Sequence, residues 1–190
     1  MSNIQKMNTA EDNALIDRFL KGDEAGFELL VRKYQNRVVC IVYSLTGSNP
    51  HAEDIAQDVF IKVYQNLAGF EKKSAFSTWL YRITVNTTYN HLRSKRVHVS
   101  LDEIDAPEPF EKVSIDAIES KEKQRFVTKA IESLPFKYRM VVVLKDIEGL
   151  GYADIAKVLK CRIGTVESRL FRGRERLKKI LTPLMEEGKL

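Results

Sequence analysis

A chain of 190 residues with 31 Lys and Arg against 26 Asp and Glu, a formal net charge of +5, has room for one or two small domains, each with a modest core. No apolar run is long enough to span a bilayer and no leader segment is evident, so a cytoplasmic protein with no membrane contact of its own is expected. Cys40 and Cys161 lie far apart and form no spaced ligand set with His51, His91 and His98, so a reduced protein without structural zinc or other cofactor is expected.

The pattern is helical from Asn13 to about Ser94. Leu15, Ile16, Phe19 and Leu20 form a first apolar face, broken at Gly22-Asp23, where Asp23 can cap the next helix. Phe27, Leu30, Val31, Tyr34, Val38, Ile41, Val42 and Leu45 then recur at helical spacing until Gly47-Ser48-Asn49-Pro50 stops them. A further helix is predicted from His51 to Leu67, a loop from Gly69 to Ser77, and a long helix from Thr78 to about Lys95.

Composition then changes. Val97 to Asp116 carries Asp102, Glu103, Asp105, Glu108, Glu111 and Asp116 with Pro107 and Pro109, and Lys112 is its one Lys or Arg. An extended acidic linker fits this stretch. Helical spacing resumes at Ile118 with Phe126, Val127, Ala130, Ile131 and Leu134, stops at Pro135, and returns at Val141 to Leu144. No internal repeat and no strand alternation is visible. The expected fold is all-α: two small helical domains, residues 13–95 and 118–184, joined by a flexible acidic linker over 96–117.

The most informative stretch comes last. Tyr152 to Lys160 reads as a short helix, Cys161-Arg162-Ile163-Gly164 as a tight turn, and Thr165 to Arg174 as the start of an arginine-rich second helix. That is the layout of a helix-turn-helix whose second helix enters a DNA major groove. On a helical wheel Val166, Leu170, Leu177 and Leu181 share one side, while Ser168, Phe171, Arg172, Glu175 and Lys179 share the other. An aromatic on the polar side suits a base-edge or sugar contact. Lys157, Lys160, Arg162, Arg169, Arg172, Arg174, Arg176, Lys178 and Lys179 face only Glu167 and Glu175 along this segment, and such clustered charge attracts phosphates.

Two earlier helices carry unusual faces. In the Thr78–Lys95 helix, Leu80, Ile83, Thr84 and Thr87 lie on one side. Arg82, Asn86, Tyr89 and Arg93 lie on the opposite side, flanked by Trp79 and Asn90. Arginine, amide and aromatic groups in one line can bind phosphate, hydrogen-bond base edges and stack on unpaired bases. In the His51–Leu67 helix, Ile55, Val59, Phe60, Val63, Tyr64 and Leu67 make a wide apolar face. Ile61 stands apart among Gln57, Asp58 and Gln65, which suits either a docking face or a scattered surface isoleucine.

In this order the pieces resemble a bacterial sigma factor of the extracytoplasmic-function (ECF) type, in the sigma-70 family, from Leu15 to about Leu181. Gly22-Asp23 with Phe27, Leu30 and Tyr34 is similar to the start of the family's second conserved region. Ala52-Glu53-Asp54-Ile55-Ala56-Gln57-Asp58-Val59-Phe60 is similar to its polymerase-binding segment. Phe76-Ser77-Thr78-Trp79-Leu80-Tyr81-Arg82-Ile83 followed by Asn86 resembles the strand-opening segment. Ile131-Glu132-Ser133-Leu134-Pro135 and the helix-turn-helix resemble the fourth region. The resemblance implies a transcription initiation factor, not an enzyme, controlled by an anti-sigma factor. It implies that Gln57, Asp58, Phe60 and Ile61 dock on the clamp helices of core RNA polymerase. It places Lys62, Phe70, Trp79, Arg82 and Asn86, with Tyr89 and Arg93 further along the stripe, at the −10 element. There a base is flipped near the Gly69–Ser77 loop, with Phe70 as a stacking wall. At the −35 element it places Thr165, Glu167, Ser168, Arg169, Phe171, Arg172 and Arg174. The acidic linker would pass along the polymerase's RNA exit path in the manner of a nucleic-acid chain.

Two departures stand out. Glu167 lies where members often carry a basic residue, and Gly151 stands where Ser or Thr often caps the helix. The rival reading is a stand-alone helix-turn-helix regulator with an N-terminal partner domain, which would need neither the Arg82/Asn86/Tyr89 stripe nor the Asp58/Ile61 face. An enzyme fits poorly: there is no Gly-rich phosphate loop, and Glu53, Asp54 and Asp58 have no companion metal ligands.

Overall fold

In the computed structural model, described over residues 3–47, 51–97 and 119–186, every regular element is helical. The N-terminal unit contains α1 (Asn3–Leu20), α2 (Ala25–Thr46), α3 (Ala52–Asn66) with a short 3₁₀ turn at Leu67–Gly69, and α4 (Phe76–Val97). The C-terminal unit contains α5 (Glu119–Glu132), α6 (Phe136–Val142) continued by a π turn at Val143–Ile147, α7 (Tyr152–Leu159) and α8 (Ile163–Glu186). The acidic linker expected over 96–117 lies, from residue 98 on, outside the described residues.

The first core forms where the spacing puts it. Leu30, Tyr34, Val38, Ile41, Val42 and Leu45 of α2 are buried against Ile55, Val59 and Val63 of α3 and Phe76 and Leu80 of α4. Thr84 and Thr88 are buried on α4 without cost in unsatisfied hydroxyls, because each donates to the carbonyl four residues back, Leu80 O at 3.0 Å and Thr84 O at 2.8 Å. Gly22 has a φ of +93°, and Asp23 Oδ1 accepts from Ala25 N–H at 3.1 Å, so the break and the cap fall where expected.

The start of the first unit needs correcting. Helix α1 begins at Asn3, not Asn13. Near its middle the helix is tied to α2 by polar contacts. Asp12 is buried, accepting from Tyr34 Oη at 2.6 Å and Lys33 Nζ at 2.8 Å. Burial, then that carboxylate, pushes the Tyr34 hydroxyl well above the usual phenol range. Likewise α4 starts at Phe76, two residues before the predicted Thr78.

Glycine sets the approach of α1 to α2. A Cβ on Gly26 would lie 2.4 Å from Leu15 O and 2.9 Å from Phe19 N, both backbone atoms of α1. Gly26→Ala would gain ~1 kcal/mol of helix propensity but must push the helices apart. A net loss of about 2 kcal/mol is expected, read as a lower denaturation midpoint at constant m-value. An unchanged or higher midpoint would contradict the close approach.

The two units pack together, with α4 against α7 and α2 against α5 and α6. Arg139 Nη1 donates to Leu45 O at 2.7 Å across the junction, and the Tyr89 and Phe136 rings lie 5.4 Å apart. Arg37 of α2, Tyr81 of α4 and Glu148, which follows the π turn, line one small cavity in the same seam. Burial raises the Glu148 carboxyl above its ordinary value, and burial with Glu148's charge pushes the Tyr81 hydroxyl up to about 12.

Candidate nucleic-acid interface

The helix-turn-helix is built from α7 and α8. Gly151 precedes α7 with no side-chain cap. The turn itself differs from the expectation of a glycine. Lys160 takes the left-handed conformation at φ 48°, Cys161 N–H donates to Ala156 O at 3.0 Å, and Gly164 already belongs to α8. Val166, Leu170 and Gly173 of α8 are buried, with Leu177 packed alongside.

The opposite face is open. Glu167, Ser168, Phe171, Arg172 and Glu175 are exposed, and Phe171 is the most exposed large apolar side chain among the described residues at 67%. Thr165 and Arg169 are half-buried at the edges of this face. Arg174 differs from the expectation. Its guanidinium turns back onto Asp146 Oδ1 at 2.5 Å, so it braces α8 against the π turn and does not extend into the open face. The positive charge of Arg172, with that of Lys137 and Arg176, holds the Tyr138 hydroxyl below its ordinary phenol value.

On α4, Asn86, Tyr89, Asn90 and Arg93 are exposed, while Arg82 and Trp79 are half-buried. The stripe is real on its N-terminal side, but Tyr89 and Arg93 border the second unit, with Phe136 completing a small cavity of about 70 Å³ there. Phe70 is a correction. It is 7% exposed, its ring 5.3 Å from Trp79 and 5.9 Å from Phe76, so it is core and supplies no open stacking wall. Lys62 is exposed on α3 and donates to Thr87 Oγ1 at 3.2 Å, which ties it to α4.

On α3, Gln57, Asp58 and Ile61 are exposed, Ile61 at 54%, and Phe60 is half-buried. Tyr64, expected in the apolar face, is exposed too. Its ring meets Phe19 and Phe27, each 5.1 Å away, and its hydroxyl donates to Glu24. Tyr64 is one turn on from Ile61, so the two widen the exposed apolar strip beside Asp58.

A helical unit with an open arginine–amide–aromatic stripe, followed by a helix-turn-helix with an open reading face, defines a DNA-binding transcription factor. The sequence relations make the class specific. Residues 30–97 match the family model described as Sigma-70 region 2, and residues 127–177 match that described as Sigma-70, region 4. The chain is 40% identical over 188 residues to the RNA polymerase sigma-H factor of Pseudomonas aeruginosa, covering 94% of this chain and 97% of that one. It is 39% identical over 186 residues to the ECF RNA polymerase sigma-E factor of Escherichia coli (strain K12), covering 92% and 96%. Among solved structures, CnrH in complex with the cytosolic domain of CnrY shares the fold at a TM-score of 0.69 and 22% identity, covering 91% of this chain and 98% of that one. The sigma factor RpoE in complex with the anti-sigma factor NepR from Bartonella quintana aligns at a TM-score of 0.66 and 25% identity, covering 82% and 96%. The chain belongs to the sigma-70 family of RNA polymerase sigma factors, of the ECF type. It is a promoter-directed transcription initiation factor, not an enzyme.

Proposed function

We propose that residues 13–95, with the added start of α1, bind core polymerase and open the −10 element, and that residues 118–184 read the −35 element. The observation that carries the reading is the open face of α8, where Phe171 stands exposed beside Ser168 and Arg172 although the helix has a buried side available for it. In this reading Thr165, Glu167, Ser168, Arg169, Phe171 and Arg172 face the −35 duplex. Lys62, Trp79, Arg82, Asn86, Tyr89 and Arg93 face the −10 strands. Gln57, Asp58, Phe60 and Ile61 meet the polymerase clamp helices.

The packed units imply a rearrangement on the promoter. The two elements lie about 25 positions apart, or ~85 Å at 3.4 Å per base pair, whereas α4 touches α7 here. The second unit must leave the first before both elements are held, which also frees Tyr89 from Phe136. The acidic linker would then span the gap along the RNA exit path. The complex of the sigma factor RpoE with the anti-sigma factor NepR supports control of this chain by an anti-sigma factor. Its action with polymerase places it in the cytoplasm.

The −35 assignment has a direct test. Arg172→Ala should weaken promoter binding by about 1–3 kcal/mol and relax preference at one base pair, as loss of a bidentate base contact would. Competition binding across single-base variants measures this. Uniform weakening on every variant would instead make Arg172 a phosphate contact.

A further inference from the structure

Among the described residues three glycines lie inside α-helices, Gly26 in α2 and Gly164 and Gly173 in α8. Glycine weakens a helix relative to alanine, so each needs a reason. Gly26 has one in the backbone of α1, which lies against it. Gly173 has one in α6, since a Cβ there would fall 2.8 Å from Val142 Cγ2. Gly164 has neither. A Cβ on it would meet nothing within 4 Å, and its φ lies outside the left-handed region. No packing among the described residues asks for glycine at this position.

Its direction supplies the reason. At about 100° per residue, Gly164 faces the same way as Ser168, Phe171 and Glu175, which follow it on the next three turns. That line is opposite Val166, Leu170, Gly173 and Leu177, which pack inward. All four members of the outward line are exposed. The open face of α8 therefore begins with bare backbone at the first turn and gains side chains only further along. Recognition helices bring their N-terminal residues to base edges. A major groove about 12 Å wide only just takes a helix about 10–12 Å across with its side chains. A strip of backbone without a side chain lets that end of the helix sit deeper.

We propose that Gly164 is a specificity-determining position for the −35 element: its bare backbone lets the first turn of α8 lie against base edges, and any side chain there holds Ser168 and Phe171 away from the bases. The proposal rests on the reading of α8 as the helix that enters the −35 groove. The close approach that explains Gly164 is made to DNA, as the close approach that explains Gly173 is made to α6.

The test uses the full chain, free and assembled with core polymerase, on promoters with an intact or a scrambled −35 element. Gly164→Ala should leave thermal unfolding of the free chain unchanged or raise its midpoint by about 1–2 °C. Association with polymerase should stay at the wild-type level. Preference of the holoenzyme for the intact over the scrambled element should fall about tenfold, and the bulkier Gly164→Leu should lower it further. Binding to the scrambled promoter, held by phosphate contacts, should not change. If neither Arg172→Ala nor Gly164→Ala alters the preference, the reading of α8 fails. If Arg172→Ala lowers the preference and Gly164→Ala leaves it whole, the close approach to bases is overturned. Equal weakening on both promoters by Gly164→Ala would mark a phosphate contact, and a lower unfolding midpoint would place the reason for the glycine inside the fold; either result overturns the proposal.

Discussion

Asp58→Arg combined with Ile61→Ala is expected to abolish association with core polymerase while leaving the fold intact. Both side chains lie on the open face of α3, three residues apart, with Ile61 54% exposed. The opposite face is committed, since Ile55, Val59 and Val63 are each fully buried. Helix α3 therefore cannot turn to hide the strip, and substitutions on it should move stability by no more than about 0.5 kcal/mol. An interface residue of this kind contributes about 2 kcal/mol or more when removed, and a reversed charge adds repulsion. A loss of about 4 kcal/mol is roughly a thousandfold in Kd. Co-purification of the tagged double variant with polymerase at the wild-type level would show that this face does not dock.

Asn86→Ala is expected to spare polymerase binding and −35 recognition but to lower open-complex formation. Asn86 is exposed on α4, between the buried Val85 and Thr87. An amide donates and accepts, which suits the edge of an unpaired base better than a phosphate. Flipping a base costs a few kcal/mol of stacking, and an unmade hydrogen bond forfeits about 1–2 kcal/mol of the return. The defect should be about five- to thirtyfold on duplex promoter. It should shrink on a template already unpaired at the −10 element. With Phe70 in the core, the stacking partners nearest this stripe are Trp79, half-buried, and Tyr89, already exposed and freed from Phe136 once the second unit departs. An equal defect on duplex and bubble templates would move Asn86 out of the opening step.

The helices were legible because burial follows spacing. Val38, Ile41, Val42 and Leu45 are buried where a 3.6-residue period places them, and Phe171 is exposed where the same period turns it outward. The misplaced features follow other forces. The middle of α1 is held by Asp12 through Tyr34 and Lys33, side chains over twenty residues away. Phe70 sits in a loop pattern, yet the rings of Phe76 and Trp79 bury it. Arg174 has the same composition signal as Arg172, and only the position of Asp146 separates their roles. Lys160 adopts the left-handed turn that a glycine was expected to supply, because the Cys161 N–H bond to Ala156 O closes the helix end. The seam between the units leaves no period in either helix. Its contacts join Leu45 to Arg139 and Tyr89 to Phe136 across the linker.

Permanganate reactivity of thymines at the −10 element, measured with core polymerase alone, this chain alone and the two together, reaches the central claim most directly. Reactive thymines should appear only with both proteins present, and only on promoters that carry a matching −35 element. Selective binding of duplex promoter by the chain alone, with no reactive thymines when polymerase is added, would contradict the account and leave a helix-turn-helix regulator in its place.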